Sequence, residues 1–223
     1  MTLFDIMGPV MVGPSSSHTA GAVRIGLITR ALLGTVPIGA TILLHGSFAA
    51  TGRGHGTDRA LVAGLLGMQL DDPRIPQSLA LAEEAGLAIQ FGNQAIRGAH
   101  PNTAVLRAMD AQGKRVEVEA SSLGGGRIQV YALNGLEASF TGEYPTLIIQ
   151  NEDFPGRVAE VAGVLYRRSV NIATMKVYRN VRGEPELMVI ESDVPIAQEM
   201  IDEIRACHGV LSVTYLELNQ EGI

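Results

Sequence analysis

The sequence predicts an α+β protein built from two successive units, and three observations carry that prediction. The C-terminal part runs through a strand–helix–strand–strand–helix–strand series. The N-terminal part mixes helical periodicity with several strand-like runs, and its histidines gather in the segments between them. Between the two, around Thr141-Gly142-Glu143-Tyr144-Pro145, the pattern resets, which divides the chain into residues 1–143 and 144–223.

The whole-chain numbers set the class. The 223 residues suffice for one large domain or two modest ones, and a hydrophobic content of 46% excludes a disordered chain. No apolar run reaches bilayer-spanning length, and Met1-Thr2-Leu3-Phe4-Asp5 lacks the basic flank and apolar core of a signal peptide. The single cysteine, Cys207, excludes an internal disulfide and cannot alone hold zinc or a metal cluster. A net charge of −6 with no basic stripe, and an aromatic content of only 4% with no tryptophan, argue against nucleic-acid binding. A soluble cytoplasmic protein that handles small molecules is expected.

Taken in order, Phe4-Asp5-Ile6-Met7 is a short segment before two breakers, Gly8-Pro9 and Gly13-Pro14. From His18 to about Leu33 the pattern is helical. Val23, Leu27 and Ala31 form one row, Ile28 and Leu32 a second, Arg24 and Arg30 lie off both, and Gly34 suits the C-cap. Directly before that helix stands Gly13-Pro14-Ser15-Ser16-Ser17-His18-Thr19. A helix N-terminus leaves N–H groups unpaired and carries partial positive charge, so this stretch can seat a carboxylate or phosphate. The serines can equally serve only as caps. Ala40 to Leu44 reads as a buried strand.

Thr51-Gly52-Arg53-Gly54-His55-Gly56-Thr57-Asp58 reads as a glycine-rich loop in which His55 has room for a ligand beside it. Thr57 or Asp58 can cap the next helix, with Leu61, Leu65 and Met68 on one face. His55 and His18 are thus each placed before a helix start, where the positive dipole end would keep an imidazole neutral. Asp71 to Pro76 is a loop, Gln77 to Ala85 a short helix ended by Gly86, and Leu87 to Phe91 a strand. Gly98-Ala99-His100-Pro101-Asn102 is a polar turn with a third histidine before a strand at Thr103 to Met109. Arg115 to Ala120 and Ile128 to Ala132, linked through Gly124-Gly125-Gly126, form a hairpin or meander.

In the second unit, Thr146 to Gln150 is a strand and Pro155 is placed to open a helix. Val158, Val161, Ala162 and Leu165 would face inward there, and Arg157, Glu160, Arg167 and Arg168 would face water. Asn171 to Tyr178 and Glu186 to Ser192 are strands about a turn at 180–185. A helix follows from Pro195 to about Ala206 with Ile196, Met200, Ile201 and Ile204 inward, then a strand from Leu211 to Leu218. Asn151-Glu152-Asp153-Phe154-Pro155-Gly156 at the first strand–helix turn, with Val170-Asn171-Ile172-Ala173 opening the second strand, resembles an ACT domain. The resemblance implies binding of an amino-acid effector between two such domains, with Asp153, Gly156 and Asn171 as contacts, or self-association alone.

Together, Gly-Pro-Ser-Ser-Ser-His-Thr, Gly-His-Gly-Thr-Asp, His-Pro-Asn and the trailing ACT domain resemble the β chains of iron–sulfur L-serine dehydratases. That resemblance implies an N-terminal domain similar to the allosteric substrate-binding type. It implies conversion of L-serine to pyruvate and ammonia, in serine catabolism feeding gluconeogenesis. It also implies a [4Fe-4S] cluster ligated by a partner α chain, where an open iron would act on the β-hydroxyl, with no metal ligand on this chain. His55 would be the base and His18 and His100 further active-site histidines, while Ser15, Ser16, Ser17 and Thr19 would bind substrate. His45 and His208 match no such role. The alternative is an amino-acid-sensing module with no chemistry; the three histidines favour the enzyme, since an effector pocket needs no base.

Overall fold

The computed structural model describes residues 10–217. The segment Phe4–Met7, the Gly8-Pro9 breaker and Leu218 lie outside the described residues. The chain divides into two compact units, Met1–Asn134 and Gly135–Ile223.

In the first unit a π-turn at Ser16–Ala20 runs straight into helix α1 (Gly21–Leu33). Strand β1 (Gly39–Leu44) leads to helices α2 (Gly46–His55), α3 (Thr57–Leu66) and α4 (Ser78–Glu84), then to strands β2 (Ala88–Asn93), β3 (Thr103–Met109), β4 (Arg115–Gly124) and β5 (Arg127–Leu133). These strands lie side by side in the order β2-β1-β3-β4-β5, parallel only between β1 and β2. The expected α+β mixture is therefore present.

Helix α1 is buried on nearly every side, because it packs on both the sheet and α3. The α1–α3 crossing is a backbone contact. A Cβ on Gly26 would stand 2.3 Å from the Leu61 carbonyl oxygen, and one on Gly64 would stand 2.1 Å from that of Val23. Only glycine permits that approach. At the end of α1, Gly34 is left-handed as expected (φ 84°), and Lys114 Nζ donates to the Leu33 carbonyl at 2.6 Å.

Thr51 to His55 is helix, not loop. The glycines Gly52 and Gly54 do not break α2, because its first N–H groups are satisfied by one fixed acceptor, the Pro101 carbonyl, at 2.7 Å from Ser47 N and 3.3 Å from Phe48 N. The break falls at Gly56, which is left-handed (φ 72°).

The second unit opens with β6 (Leu136–Phe140), a strand the sequence reading does not contain. Asn134-Gly135, both at positive φ (51° and 78°), is the turn signal that announces it. There follow β7 (Thr146–Asn151), α5 (Arg157–Arg167), β8 (Ile172–Tyr178), β9 (Glu186–Ser192), α6 (Gln198–Arg205) and β10 (Val210–Leu216). The sheet order is β10-β7-β9-β8, antiparallel throughout, which is the expected βαββαβ arrangement. Its core joins Leu147, Ile149, Val161, Val164, Leu165, Ile190 and the α6 residues Met200, Ile201 and Ile204.

Three details differ from expectation. Val158 is 43% exposed, and Val164 takes its place inside. Arg157 is only 8% exposed, held by Glu160 at 2.8 Å and by His208 Nδ1 at 2.8 Å, so it does not face water. Helix α6 starts at Gln198 rather than Pro195, since Ala197 is still extended (φ −67°, ψ 150°).

Candidate active site

The site begins with the hydroxyl-rich π-turn. Ser15 is extended and caps it, its Oγ accepting the His18 backbone N–H at 3.2 Å. Gly21 N–H reaches back to the Ser16 carbonyl, five residues earlier, which widens the turn. Gly21 is required there, since a Cβ would stand 2.0 Å from Ser122 Oγ. The helix thus starts two residues before His18, and His18 lies inside its first turn instead of ahead of it.

His18 is held from both sides. Its Nδ1 lies 3.2 Å from Ser17 Oγ, and its Nε2 lies 3.2 Å from both Ser47 Oγ and Thr51 Oγ1 on α2. Counting donors assigns the tautomer. The single Thr51 hydroxyl proton goes to the Ser47 carbonyl at 2.9 Å, so Thr51 can only accept from His18. Nε2 therefore carries the proton, and Nδ1 accepts from Ser17. Ser15 Oγ, 3.3 Å from Ser17 Oγ, extends the chain. The Phe48 ring meets the imidazole edge-on at 5.3 Å between centroids. Burial lowers the His18 pKa below its ordinary value, nearby charge on His55 lowers it further, and a hydrogen bond to the Ser47 backbone opposes them. The ring is neutral near pH 7.

His55 stands beside it, with ring centroids 4.9 Å apart at 49°. It is exposed, and among the described residues its ring makes no hydrogen bond. The dipole argument from sequence needs correcting here. His55 does precede α3, but it is also the last residue of α2, whose negative end favours the imidazolium. The two helix ends oppose one another.

The remaining predicted residues divide. Ser16 Oγ accepts from Gly125 N at 3.3 Å, which ties the π-turn to the glycine turn between β4 and β5. Gly124, Gly125 and Gly126 all have positive φ. Thr19 is buried and its hydroxyl has no partner. His100 is not joined to the other two histidines by any contact among the described residues. Its Nδ1 accepts the Asn102 N–H at 3.2 Å, and it lines a different cavity of about 220 Å³ with Glu119 and Tyr131. Its turn nevertheless carries Pro101, whose carbonyl fixes Ser47 and so the His18 contacts. His45 Nδ1 accepts from Ile96 N at 3.2 Å, a structural bond.

Sequence reading missed Ser47, Phe48 and Thr51. Ser47, Thr51 and His55 are spaced i, i+4, i+8, which is one helical face, so the signal existed once the segment is read as helix.

In the second unit, the expected effector residues do not converge within one copy. Asp153 and Gly156 follow the end of β7 where Asn151 pairs with Glu186, whereas Asn171 precedes Ile172, which pairs with Ser192 at the other end of β9. Asp153 is already engaged by Arg179 Nη1 at 2.8 Å and Gly183 N at 2.9 Å, contacts that hold its carboxyl below the usual range, the Gly183 N–H foremost. Asn171 Nδ2 donates to Asp193.

The family model described as "Serine dehydratase beta chain" matches residues 2–85, and the model "ACT domain" matches residues 146–209. Over 96% of its length the chain is 41% identical to a "Probable L-serine dehydratase, beta chain" of Bacillus subtilis, covering 96% of that protein. It is 35% identical to the "L-serine dehydratase, beta chain" of Peptoniphilus asaccharolyticus, with 96% of this chain and 97% of that one covered. It is 30% identical over 180 residues to "L-serine dehydratase 1" of Escherichia coli, where 74% of this chain matches 37% of that longer one.

Proposed function

The chain belongs to the L-serine dehydratase β-chain family, and from that premise we propose how its own residues serve the reaction. The observation that carries the reading is the pair His18–His55, one ring neutral and fixed by three hydroxyls, the other exposed and unbonded.

Dehydration of serine removes the α-proton and the β-hydroxyl, leaving an enamine that tautomerises to an imine. Water then hydrolyses the imine to pyruvate and ammonia. Loss of the α-proton needs a reachable base, and the exposed His55, beside His18 and in the wall of a cavity, is placed for that role. His18 positions it: an uncharged neighbour at 4.9 Å leaves room for one positive charge on the pair, not two. Thr19 and the hydroxyl proton of Ser16 are open to the amino acid, Ser15 and Ser17 hold the turn that presents them, and the turn around His100 positions Ser47. Residues 1–143 form the catalytic-type domain and residues 144–223 the ACT domain.

The family implies a [4Fe-4S] cluster, and this chain's residues do not fit one. Such a cluster is held by several thiolates, whereas the chain has one cysteine, Cys207. Its thiol donates to the Glu203 carbonyl, and burial foremost raises its pKa, the reverse of a thiolate prepared for iron. Among the described residues no group of three or more His, Cys, Asp or Glu is placed to hold a metal. The cluster belongs to the α chain, and no step above runs through it. Because Asp153 and Gly156 lie at one end of the sheet and Asn171 at the other, an effector would sit between two copies of the ACT domain. No helix among the described residues is long and apolar enough to cross a membrane; the single cysteine is what supports a cytoplasmic complex.

The test is pyruvate formation from L-serine under anaerobic conditions with this chain alone, with its α chain alone, and with both. Turnover only in the mixture is expected. Turnover by this chain alone overturns the reading.

A further inference from the structure

Next to the histidine pair is a cavity of about 160 Å³ whose walls include Gly13, Pro14, Thr19, Arg53, His55 and Arg59. Its size suits a metabolite as small as serine. Its lining holds two guanidinium groups and no acidic side chain. Neither Arg53 nor Arg59 forms an ion pair or a side-chain hydrogen bond among the described residues. Most arginines of the second unit, by contrast, are paired, as Arg157, Arg167, Arg168, Arg179 and Arg205 are. Thr19, in the cavity wall, is 3% exposed and its Oγ1 has no partner. A buried hydroxyl left in that state is costly unless something completes it.

Two of the hydroxyls expected to receive the substrate carboxylate are otherwise occupied. Ser15 and Ser17 are spent on one another and on His18, while Ser16, which accepts from Gly125 N, keeps its own proton. That leaves an uncompensated positive cavity whose rim is His55 itself. We propose that this cavity is the carboxylate subsite, in which Arg53 and Arg59 clamp the carboxylate of L-serine and turn its α-hydrogen toward His55. The geometry follows from connectivity. Arg53 lies two residues before His55 on α2, Arg59 lies four after it on α3, and Gly56 between them turns the chain so that both line one hollow. Guanidinium groups suit the task because they stay charged at all working pH values and can grip a carboxylate through two parallel N–H groups. The inference rests on the dehydratase reading and adds the residues that select an amino acid over an amino alcohol.

The test is steady-state kinetics of the complex with its α chain, using Arg53→Gln, Arg59→Gln and the conservative Arg53→Lys. Both arginines are exposed, so the variants are expected to fold and to assemble at wild-type mass. Each Gln variant is expected to raise KM for L-serine roughly tenfold to a hundredfold while kcat stays within about threefold, as loss of a charged hydrogen-bonding partner requires. Arg53→Lys is expected to recover a large part of that loss. KM unchanged in both Gln variants, or kcat lost with KM unchanged, overturns the inference while the function stands. No serine turnover by the wild-type complex overturns both, and the two failures are told apart by the wild-type control.

Discussion

At the scale of single residues, the two histidines of the site differ in what their surroundings allow. His18 is bonded at both nitrogens, and its pKa is lowered by burial. As pH falls below about 6.5 the unfolded ring takes up a proton before the folded one does, so stability present above that pH is lost on the way down to the folded pKa. We expect the urea unfolding free energy of the wild type to fall more steeply than that of His18→Gln between about pH 7.5 and about pH 5.5. Parallel curves would mean that His18 is not held neutral. Protonation of His18 should also lower kcat/KM on the acid side. In the sequence both histidines stand out, as does the run of serines around them. What could not be read was their division of labour. That depends on Ser47 and Thr51, which reach His18 only because a carbonyl about fifty residues further on, that of Pro101, fixes the start of α2. Nothing local in Gly46–Ser47 reports so distant an acceptor. His100 illustrates the converse: a histidine in a polar turn reads as a site residue, yet its own nitrogen is bonded to its own turn.

At the scale of elements, the histidine pair depends on how α1 and α3 cross. Gly26 and Gly64 let the backbones touch, and α3 carries Arg59 while His55 is the last residue of α2, one residue before the break at Gly56. Gly64→Ala should destabilise the fold by about 3 kcal/mol, the upper part of the overpacking range, because the obstructing atoms are backbone and cannot swing away. Gly86→Ala, at φ 72° but with open space around the new Cβ, should cost only about 1 kcal/mol. Chemical denaturation of both variants checks the contrast; equal losses would contradict a close-packed crossing. Most elements were legible because their apolar spacing is regular: β3 begins and ends as expected, and the βαββαβ order of the second unit is correct. The failures fall where a distant contact outweighs local composition. Helix α2 survives two internal glycines. Arg157 is drawn into the interior by Glu160 and His208. Strand β6, only five residues long, is too short for its alternation to register.

At the scale of the whole molecule, the chain is one part of a heteromeric enzyme, with the serine dehydratase β-chain match in the first unit and the ACT domain in the second. Deleting residues 144–223 should therefore alter association or the response to serine concentration more than it alters kcat per assembled site. Mass measurement together with kinetics reads this, and an unchanged mass with an unchanged serine response would contradict it. The central claim is that the base comes from this chain and is His55. It is tested most directly by kcat for L-serine in the complex of His55→Ala with the α chain, at wild-type mass and cluster content. A fall of roughly a hundredfold to ten-thousandfold is expected, the range that general-base catalysis supplies. A kcat within a few-fold of wild type would contradict it.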